Sequence, residues 1–327
     1  MIFISRDKED NNPSYNEVID WLLHKGEEID FLAGQDFFEN GNDWSIFLNN
    51  GEDKVSFGVP LKSSIWFRGF LNHRNHFYST FKDLNSSNDN LNELRRRVGQ
   101  ETSKVTGQIY SQFDKNYQLP KFSSLKIDKF SILKKAKSVG LKVPNSLITN
   151  SKKELKKFIK DYGDAISKPL HESIFFKNDD SVVFFDTKMV TPDILDNLES
   201  NNFFPSFFQT YVEKDIKLRI FYIEGDFFSM AIFSQLDAKT KLDFRNYNNE
   251  NPNRNVPYLL PKSIEQKLHQ LMVKLDLNTG SIDMIKTPEK EYIFLEVNPT
   301  GQFGFTSKPC NYYLEEKMAD TLIKNKK

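Results

Sequence analysis

Short apolar runs alternate along the chain with apolar residues at three- and four-residue spacing, a pattern that predicts strands alternating with helices. "MIFIS" opens as a strand. Val18, Ile19, Leu22 and Leu23 then mark one face of a helix closing at Gly26, and "EIDFLA" follows as a second strand. That βαβ order predicts an open parallel sheet in a small α/β domain. "IWFRG", residues 65 to 69, ends a further strand with Trp66 and Arg68 on one face. Leu91, Leu94, Val98, Val105, Ile109 and Phe113 predict one long amphipathic helix over residues 89–117, stopped by Pro120, with a domain boundary in the segment up to Leu125.

The next stretch carries clear helix punctuation. In "IDKFSILKKAKSVG", Asp128 is an N-cap, Phe130, Leu133 and Ala136 form the buried face, and Gly140 is the stop. Ser151 and Glu154 form a capping box ahead of Leu155, Phe158, Ile159 and Tyr162. "DAISKPL" is then a short strand carrying Lys168 between Ile166 and Pro169, a cation whose place in a strand points to a phosphate partner. "FFQTYVEK" passes abruptly from apolar to polar, and a hairpin turns at Gly225. A further amphipathic helix has Ser263 as its cap and Ile264, Leu268, Leu271 and Leu275 facing inward.

The last two apolar runs frame the candidate chemistry. "TGSIDMIK" and "EYIFLEV" flank the turn-rich "TPEK", which predicts an antiparallel hairpin with Lys286 opposite Glu291 and Asp283 opposite Phe294. Residues two apart in a strand share a face, so Asp283, Glu296 and Asn298 all point to one side. Two carboxylates and an amide oxygen are hard ligands that suit magnesium, which keeps its other positions for water and nucleotide phosphates. The plainer alternative has Asp283 capping a bulge and Glu296 paired with a lysine. Two like charges buried without partners would be costly.

Composition narrows the function classes. Across 327 residues, 45 Lys+Arg balance 45 Asp+Glu, which argues against a protein that grips nucleic acid by neutralising phosphates. The single Cys310 excludes an internal disulfide, and His24, His73, His76, His171 and His269 form no Cys/His ligand pattern, which favours a reducing compartment. The first residues reach charge too soon for a signal peptide, and no apolar run is long enough to span a bilayer. The expectation is a cytoplasmic protein with no membrane partner. The 30 Phe fit aromatic cores rather than a stacking platform for bases.

Taken in order, "IDK", "ISKP", "QTYVEK", "LRI", "DFR", "GSIDMI" and "LEVNPTGQF" resemble the ATP-grasp ligase superfamily over residues 120–303. With "SYNEVIDWLL" and "IWFRG" the chain is similar over nearly its full length to the ATP-grasp peptide maturases, the graspetide or microviridin-type macrocyclases, including the grasp-with-spasm branch. The resemblance implies an α/β (α+β) fold: an N-terminal open parallel α/β domain over 1–119, a central ATP-grasp subdomain over 120–212 and a C-terminal one over 213–327. It implies ATP and Mg2+ as cofactors. Lys129 and Lys168 match the lysines that reach nucleotide phosphates, and Gln209, Tyr211 and Val212 match the hinge that reads adenine through its backbone. Glu213 matches the ribose position, with Asp215 near enough to take it. Arg219 and Arg245 match arginines beside the terminal phosphate, where with Lys168 they would act in catalysis, and Asp283, Glu296 and Asn298 match the metal ligands.

Each assignment has a plainer counterpart. Arg219 and Arg245 read by themselves are solvated charges, and Tyr211 and Val212 are ordinary strand residues. Lys129 is different, since a cation at a helix start opposes the dipole, which disfavours a purely structural role. One departure concerns the phosphate-covering lid. "HESIFFKNDDSVVFFD" holds no glycine, so either side chains such as His171, Ser173 or Lys177 do that work or the lid closes only when substrate arrives. The implied partner is a ribosomal precursor peptide, leader plus core, whose Asp or Glu side chains are activated and joined to Thr/Ser hydroxyls or Lys amines. Its leader is expected on residues 191–205, read as a helix with an acidic face. A homodimer is in keeping with the family. Two other readings stay open: a ligase for free amino acids or a protein terminus, and a nucleotide-binding interaction protein without turnover.

Overall fold

A computed structural model describes residues 1–6, 13–38, 43–48, 54–57, 63–69, 89–125, 127–170, 175–178, 181–184, 187–233 and 254–326. They divide into two compact units. Met1–Leu125, Gln302–Ser307 and Tyr313–Lys327 form the first, and Lys126–Gly301 with Lys308–Tyr312 the second.

The first unit contains β1 (Ile2–Ser5), α1 (Pro13–His24), β2 (Ile29–Leu32), α2 (Gly34–Phe38), β3 (Ile46–Phe47), β4 (Lys54–Val55), β5 (Ser64–Phe67), α3 (Asp89–Ser111) and β6 (Tyr117–Leu119). The order β2-β1-β5-β6 makes a parallel sheet, and β3 pairs with β4. Both central strands are buried at every position, as a parallel sheet covered on two faces requires. Phe3, Ile65 and Phe67 pack with Ile109, Tyr110 and Phe113 in one core. On the opposite face Trp66 lies 5.6 Å from Tyr15, and the Arg68 guanidinium sits 3.9 Å above the same Tyr15 ring while donating to its hydroxyl. The expected βαβ unit is present. The long helix ends at Ser111 rather than near residue 117, because Tyr117–Leu119 instead pairs with β5 as an edge strand.

The second unit contains α4 (Lys129–Ser138), β7 (Ser146–Ser151), α5 (Lys152–Tyr162), β8 (Ala165–Lys168), β9 (Phe175–Asn178), β10 (Ser181–Phe184), β11 (Lys188–Val190), α6 (Pro192–Asp196), β12 (Asn202–Thr210), β13 (Ile216–Ile223), β14 (Asp226–Phe233), β15 (Arg254–Tyr258), α7 (Lys262–Lys274), β16 (Thr279–Lys286) and β17 (Tyr292–Asn298). Two antiparallel sheets result, in the orders β11-β8-β12-β7 and β15-β14-β13-β16-β17, beside the β9-β10 hairpin. Helices α8 (Gly304–Cys310) and α9 (Leu314–Lys324) follow, and within the first unit Ser64 Oγ donates to the Leu322 carbonyl of α9 at 2.6 Å.

Local capping works as the residue types dictate. Asp128 accepts from the Ser131 N–H at 2.8 Å and Ser151 from the Glu154 N–H at 3.3 Å. Two expectations fail. Ser263 lies inside the first turn of α7, whose N-cap is Pro261. The segment 191–205 is helical only over Pro192–Asp196, capped by Thr191, and becomes β12 from Asn202. The run of aromatics after Asn202 pairs more profitably in a sheet, where Phe208 joins Leu155 and Leu195 in a small core.

The five-stranded sheet has two unlike faces. Leu218, Ile220, Tyr222, Ala231, Ile282, Met284, Phe294 and Val297 pack against Ile132, Leu133 and Ala136 of α4 and Leu268, Leu271 and Met272 of α7. Each large side chain buried there contributes about 1.5–3 kcal/mol. That core anchors strands whose opposite face carries charge.

Candidate active site

A row of side chains runs across three neighbouring strands. Arg219 of β13 is directly opposite Asp283 of β16, which is directly opposite Glu296 of β17. In the next row Ser281 is opposite Asn298. Directly opposed residues lie on one face with Cβ atoms about 5 Å apart, so Asp283, Glu296 and Asn298 share the polar face. The pairing differs from the expected register. Asp283 faces Glu296, not Phe294, and Lys286 faces Tyr292, not Glu291, with a shift between Asp283 and Met284. The physical reason is a bulge that leaves Leu295 unpaired. In a regular strand Phe294 and Glu296 would share a face; the extra residue sends Phe294 into the core with Met284 and Glu296 to the polar side.

The electrostatics of the row are concentrated on Asp283, which is only 3% exposed. Arg219 Nη1 donates to Asp283 Oδ1 at 2.7 Å, and Lys217 Nζ stands 3.1 Å from Asp283 Oδ2. Burial pushes this carboxyl toward protonation, but the Arg219 and Lys217 charges overcome it and hold the group well below the usual carboxylate range. Lys168, partly buried at the end of β8, shows the opposite balance. Burial drives its ammonium down to about 8, with Glu296 pulling it up, Lys217 and Lys129 pushing it down and Asp283 pulling it up. Those interactions place Lys168 within electrostatic reach of the row. Lys129 begins α4 and donates through Nζ to the Pro169 carbonyl at 3.1 Å, next to Lys168. Lys129, Lys168, Lys217 and Arg219 therefore outnumber Asp283 and Glu296, a surplus of positive charge that suits a polyanion.

The chain crosses from one antiparallel sheet to the other through Gln209–Asp215. Gln209, 2% exposed, donates through Nε2 to Ser146 Oγ at 3.1 Å, so its side chain is spent on the sheet. The Tyr211 N–H donates to the Asp164 carbonyl at 2.6 Å. Val212 is half-buried, Glu213 and Asp215 are exposed, and the Asp215 N–H donates to the Lys286 carbonyl at 2.9 Å. Arg245, His171 and Ser173 lie outside the described residues, as does the side chain of Lys177 in β9.

The donor set fits magnesium. Asp283 and Glu296 offer hard carboxylate oxygens, and Asn298 an amide oxygen that also accepts from the Thr300 N–H at 3.0 Å. Among the described residues there is no group of three or more His, Cys, Asp and Glu able to hold a metal. The turn after Asn298 is shaped by Gly301, where an added Cβ would lie 2.4 Å from Ser281 Cβ. Sequence reasoning missed both Gly301 and Lys217, although Lys217 carries the same two-residue signal toward Arg219 that joins Glu296 to Asn298.

Comparison with known proteins adds independent support. No family model and no curated protein matches the chain. Solved structures do match. An RiPP-associated ATP-grasp ligase from Chryseobacterium gregarium, in complex with ADP and a leader and core peptide, aligns with a TM-score of 0.80 at 24% identity, over 99% of this chain and 96% of that one. The macrocyclase MdnC of Microcystis aeruginosa, bound with the precursor peptide MdnA, aligns with a TM-score of 0.74 at 25% identity over 99% of both chains. The ATP-grasp ligase PsnB, complexed with minimal precursor, Mg and ADP, aligns with a TM-score of 0.74 at 16% identity over 100% of this chain and 97% of that one. Parallel first sheet, paired antiparallel sheets and near-complete overlap lead to one conclusion: the chain has the ATP-grasp fold and resembles these peptide-bound ligases along nearly all of its length.

Proposed function

We propose that the chain is an ATP-dependent ligase that activates Asp or Glu side chains of a ribosomal precursor peptide as acyl phosphates and closes ester or amide macrocycles. The observation that carries this reading is the Arg219–Asp283–Glu296 row within reach of Lys168, set in a fold shared with ligases solved with ADP and peptide. A carboxylate has a poor leaving group. Transfer of the terminal phosphoryl of ATP to a carboxylate oxygen yields ADP and an acyl phosphate; a Thr or Ser hydroxyl, or a Lys amine, then attacks the acyl carbon and phosphate departs with the bond electrons. Each ring formed removes one water from the peptide.

The chain's own groups have distinct tasks in this reading. Lys129 and Lys168 neutralise nucleotide phosphates, while Arg219, with Arg245, grips the terminal phosphoryl as its charge redistributes. The Tyr211 N–H is already bonded within the protein, so adenine would be read by other backbone groups of the hinge formed by Gln209, Tyr211 and Val212. The exposed Glu213 takes the ribose hydroxyls, with Asp215 as the neighbouring substitute. Asp283, Glu296 and Asn298 hold magnesium. When bound, the ion screens the triphosphate and polarises its oxygens. The row holds both reactants in place, so catalysis is chiefly positioning and electrostatics, without a protein nucleophile.

The same reading keeps the functional division into an N-terminal domain over 1–119, a central subdomain over 120–212 and a C-terminal subdomain over 213–327. The leader docks on α6 and the start of β12, the reaction takes place in the cytoplasm, and the enzyme works as a homodimer. Among the described residues no helix is long and apolar enough to cross a membrane. The test is to incubate the protein with ATP, magnesium and a peptide encoded beside its gene whose tail repeats Thr with Glu or Asp, then weigh the product. Loss of one water per ring supports the reading. An unchanged peptide mass with steady ATP consumption on free amino acids overturns it.

A further inference from the structure

Helix α5 carries Lys152, Lys153, Lys156, Lys157 and Lys160, and at helical spacing all of them fall on one continuous arc. Leu155 and Phe158 are buried on the opposite side, while Glu154 and Asp161 lie beyond the edge of the arc. Lys153, Lys156, Lys157 and Lys160 are exposed, and Lys152 is half-buried. The arrangement costs stability. Lysines three or four apart repel, as Lys153 does Lys156 and Lys157, and as Lys156 does Lys160; Lys152 and Lys153 also stand at the helix start, where a cation opposes the dipole. Only part of this is offset locally. Lys152 Nζ donates to the Leu198 carbonyl at 2.9 Å, and Lys156 Nζ lies 3.3 Å from Asp196 Oδ1 of α6. Among the described residues, Lys153, Lys157 and Lys160 meet no acidic partner.

Those two contacts, together with Leu155 and Leu195 in a shared core, fix α5 beside α6, whose Asp193 and Asp196 are exposed. The surface therefore changes sign across the seam between the two helices. Acidic and basic residues balance over the whole chain, so the basic stripe is a local concentration, and a segment attracted to it is anionic. In the ligase reading, the precursor leaves its leader site on α6 with a tail that bears the reacting Asp and Glu side chains. We propose that the lysine stripe of α5 is a docking site for this acidic tail, keeping carboxylates that await reaction on the enzyme. The identity of the peptide rests on the ligase reading; the preference for an acidic chain rests on α5 alone. Lysine suits such a task, because a compact ammonium on a flexible stem follows successive carboxylates without fixing one geometry.

The full-length Lys153→Glu/Lys157→Glu/Lys160→Glu protein tests this by fluorescence anisotropy with a labelled, leaderless peptide of alternating Thr and Glu. Wild type should bind this peptide, release it as salt is raised, and bind an alternating Thr and Gln peptide about tenfold more weakly. The triple variant should bind the Thr/Glu peptide about tenfold more weakly than wild type, as three exposed ion pairs together imply, and raise the KM for precursor with kcat unchanged. Gln at the same three positions removes charge without reversing it and should act in the same direction by less. Both variants should bind ADP and the triphosphate analogue AMPPNP, with magnesium, as wild type does. Equal binding of the Thr/Glu peptide by wild type and the triple variant overturns the proposal, as does a wild type that does not distinguish Glu from Gln. A single-stranded oligonucleotide of equal charge that binds about tenfold more tightly than the peptide, and is lost in the triple variant, also overturns it by assigning the stripe to nucleic acid. If the peptides behave as expected but no precursor loses water, the ligase reading falls and the acidic-chain site stands. If the triple variant cyclises precursor at unchanged KM, the ligase reading stands and the α5 proposal falls.

Discussion

Replacing Lys168 by Met should stabilise the ligand-free protein near neutral pH while weakening its hold on nucleotide. Burial carries the Lys168 ammonium to about 8 from an ordinary 10.5. The gap corresponds to about 3 kcal/mol of destabilisation while the group is charged in both folded and unfolded chains. The sign follows from proton counts. Between about 8 and 10.5 the unfolded chain binds more protons than the folded one, so wild-type stability rises with pH across that window. The cost of Lys168 is therefore complete below about 8 and gone above 10.5. Methionine has a stem of similar length and no proton to lose, so its advantage should be largest near neutrality and vanish toward the upper end. Thermal melts with EDTA, in steps from neutral pH upward, should show the variant melting several degrees higher at first, at about 2 °C or more per kcal/mol. ADP and magnesium should then raise the melting temperature of the wild type much more than that of the variant. A variant that melts lower than wild type near neutrality, or an offset that stays constant up to the highest pH, would refute the balance of burial and charge assigned to Lys168.

Glu296→Gln should leave the melting temperature nearly unchanged and abolish the loss of water from the precursor, measured by mass spectrometry; a fully active variant removes Glu296 from the metal site. Gly301→Ala places its Cβ 2.4 Å from Ser281 Cβ and 2.6 Å from Ser281 Oγ, so it should lower stability by about 1–3 kcal/mol in urea unfolding. Adding Ser281→Gly should recover part of that loss, and no recovery would mean the strain lies elsewhere. Leu271→Ala, at a fully buried position between α7 and the five-stranded sheet, should cost about 2–5 kcal/mol by the same assay without altering the relative affinities for ADP and AMPPNP.

Much of this organisation is legible in short windows of sequence, because the interactions that create it act over a few residues. Asp128 and Ser151 cap the helices that follow them, the first βαβ unit reads directly from its apolar spacing, and the two-residue period puts Glu296 beside Asn298. What escaped depends on chain segments far apart. Tyr117–Leu119 becomes a strand only because β5 offers an edge, and β12 ends the expected helix at residues 191–205 because its aromatics find β7, β8 and a core to pack against.

The chain's pattern by itself determines that charged oxygen-bearing residues occupy one side of the final strands, since alternation is a property of the extended backbone. Only the tertiary structure decides which groups meet there. The unpaired Leu295 lets Phe294 fill the core while Glu296 faces Asp283, and the antiparallel pairing of β13 with β16 brings Lys217 and Arg219 to a carboxylate distant in sequence. Packing settles the first because a phenylalanine and a glutamate cannot share one environment. Register settles the second, because an ion pair needs its partners within a few ångströms, and no local rule specifies that distance between remote residues.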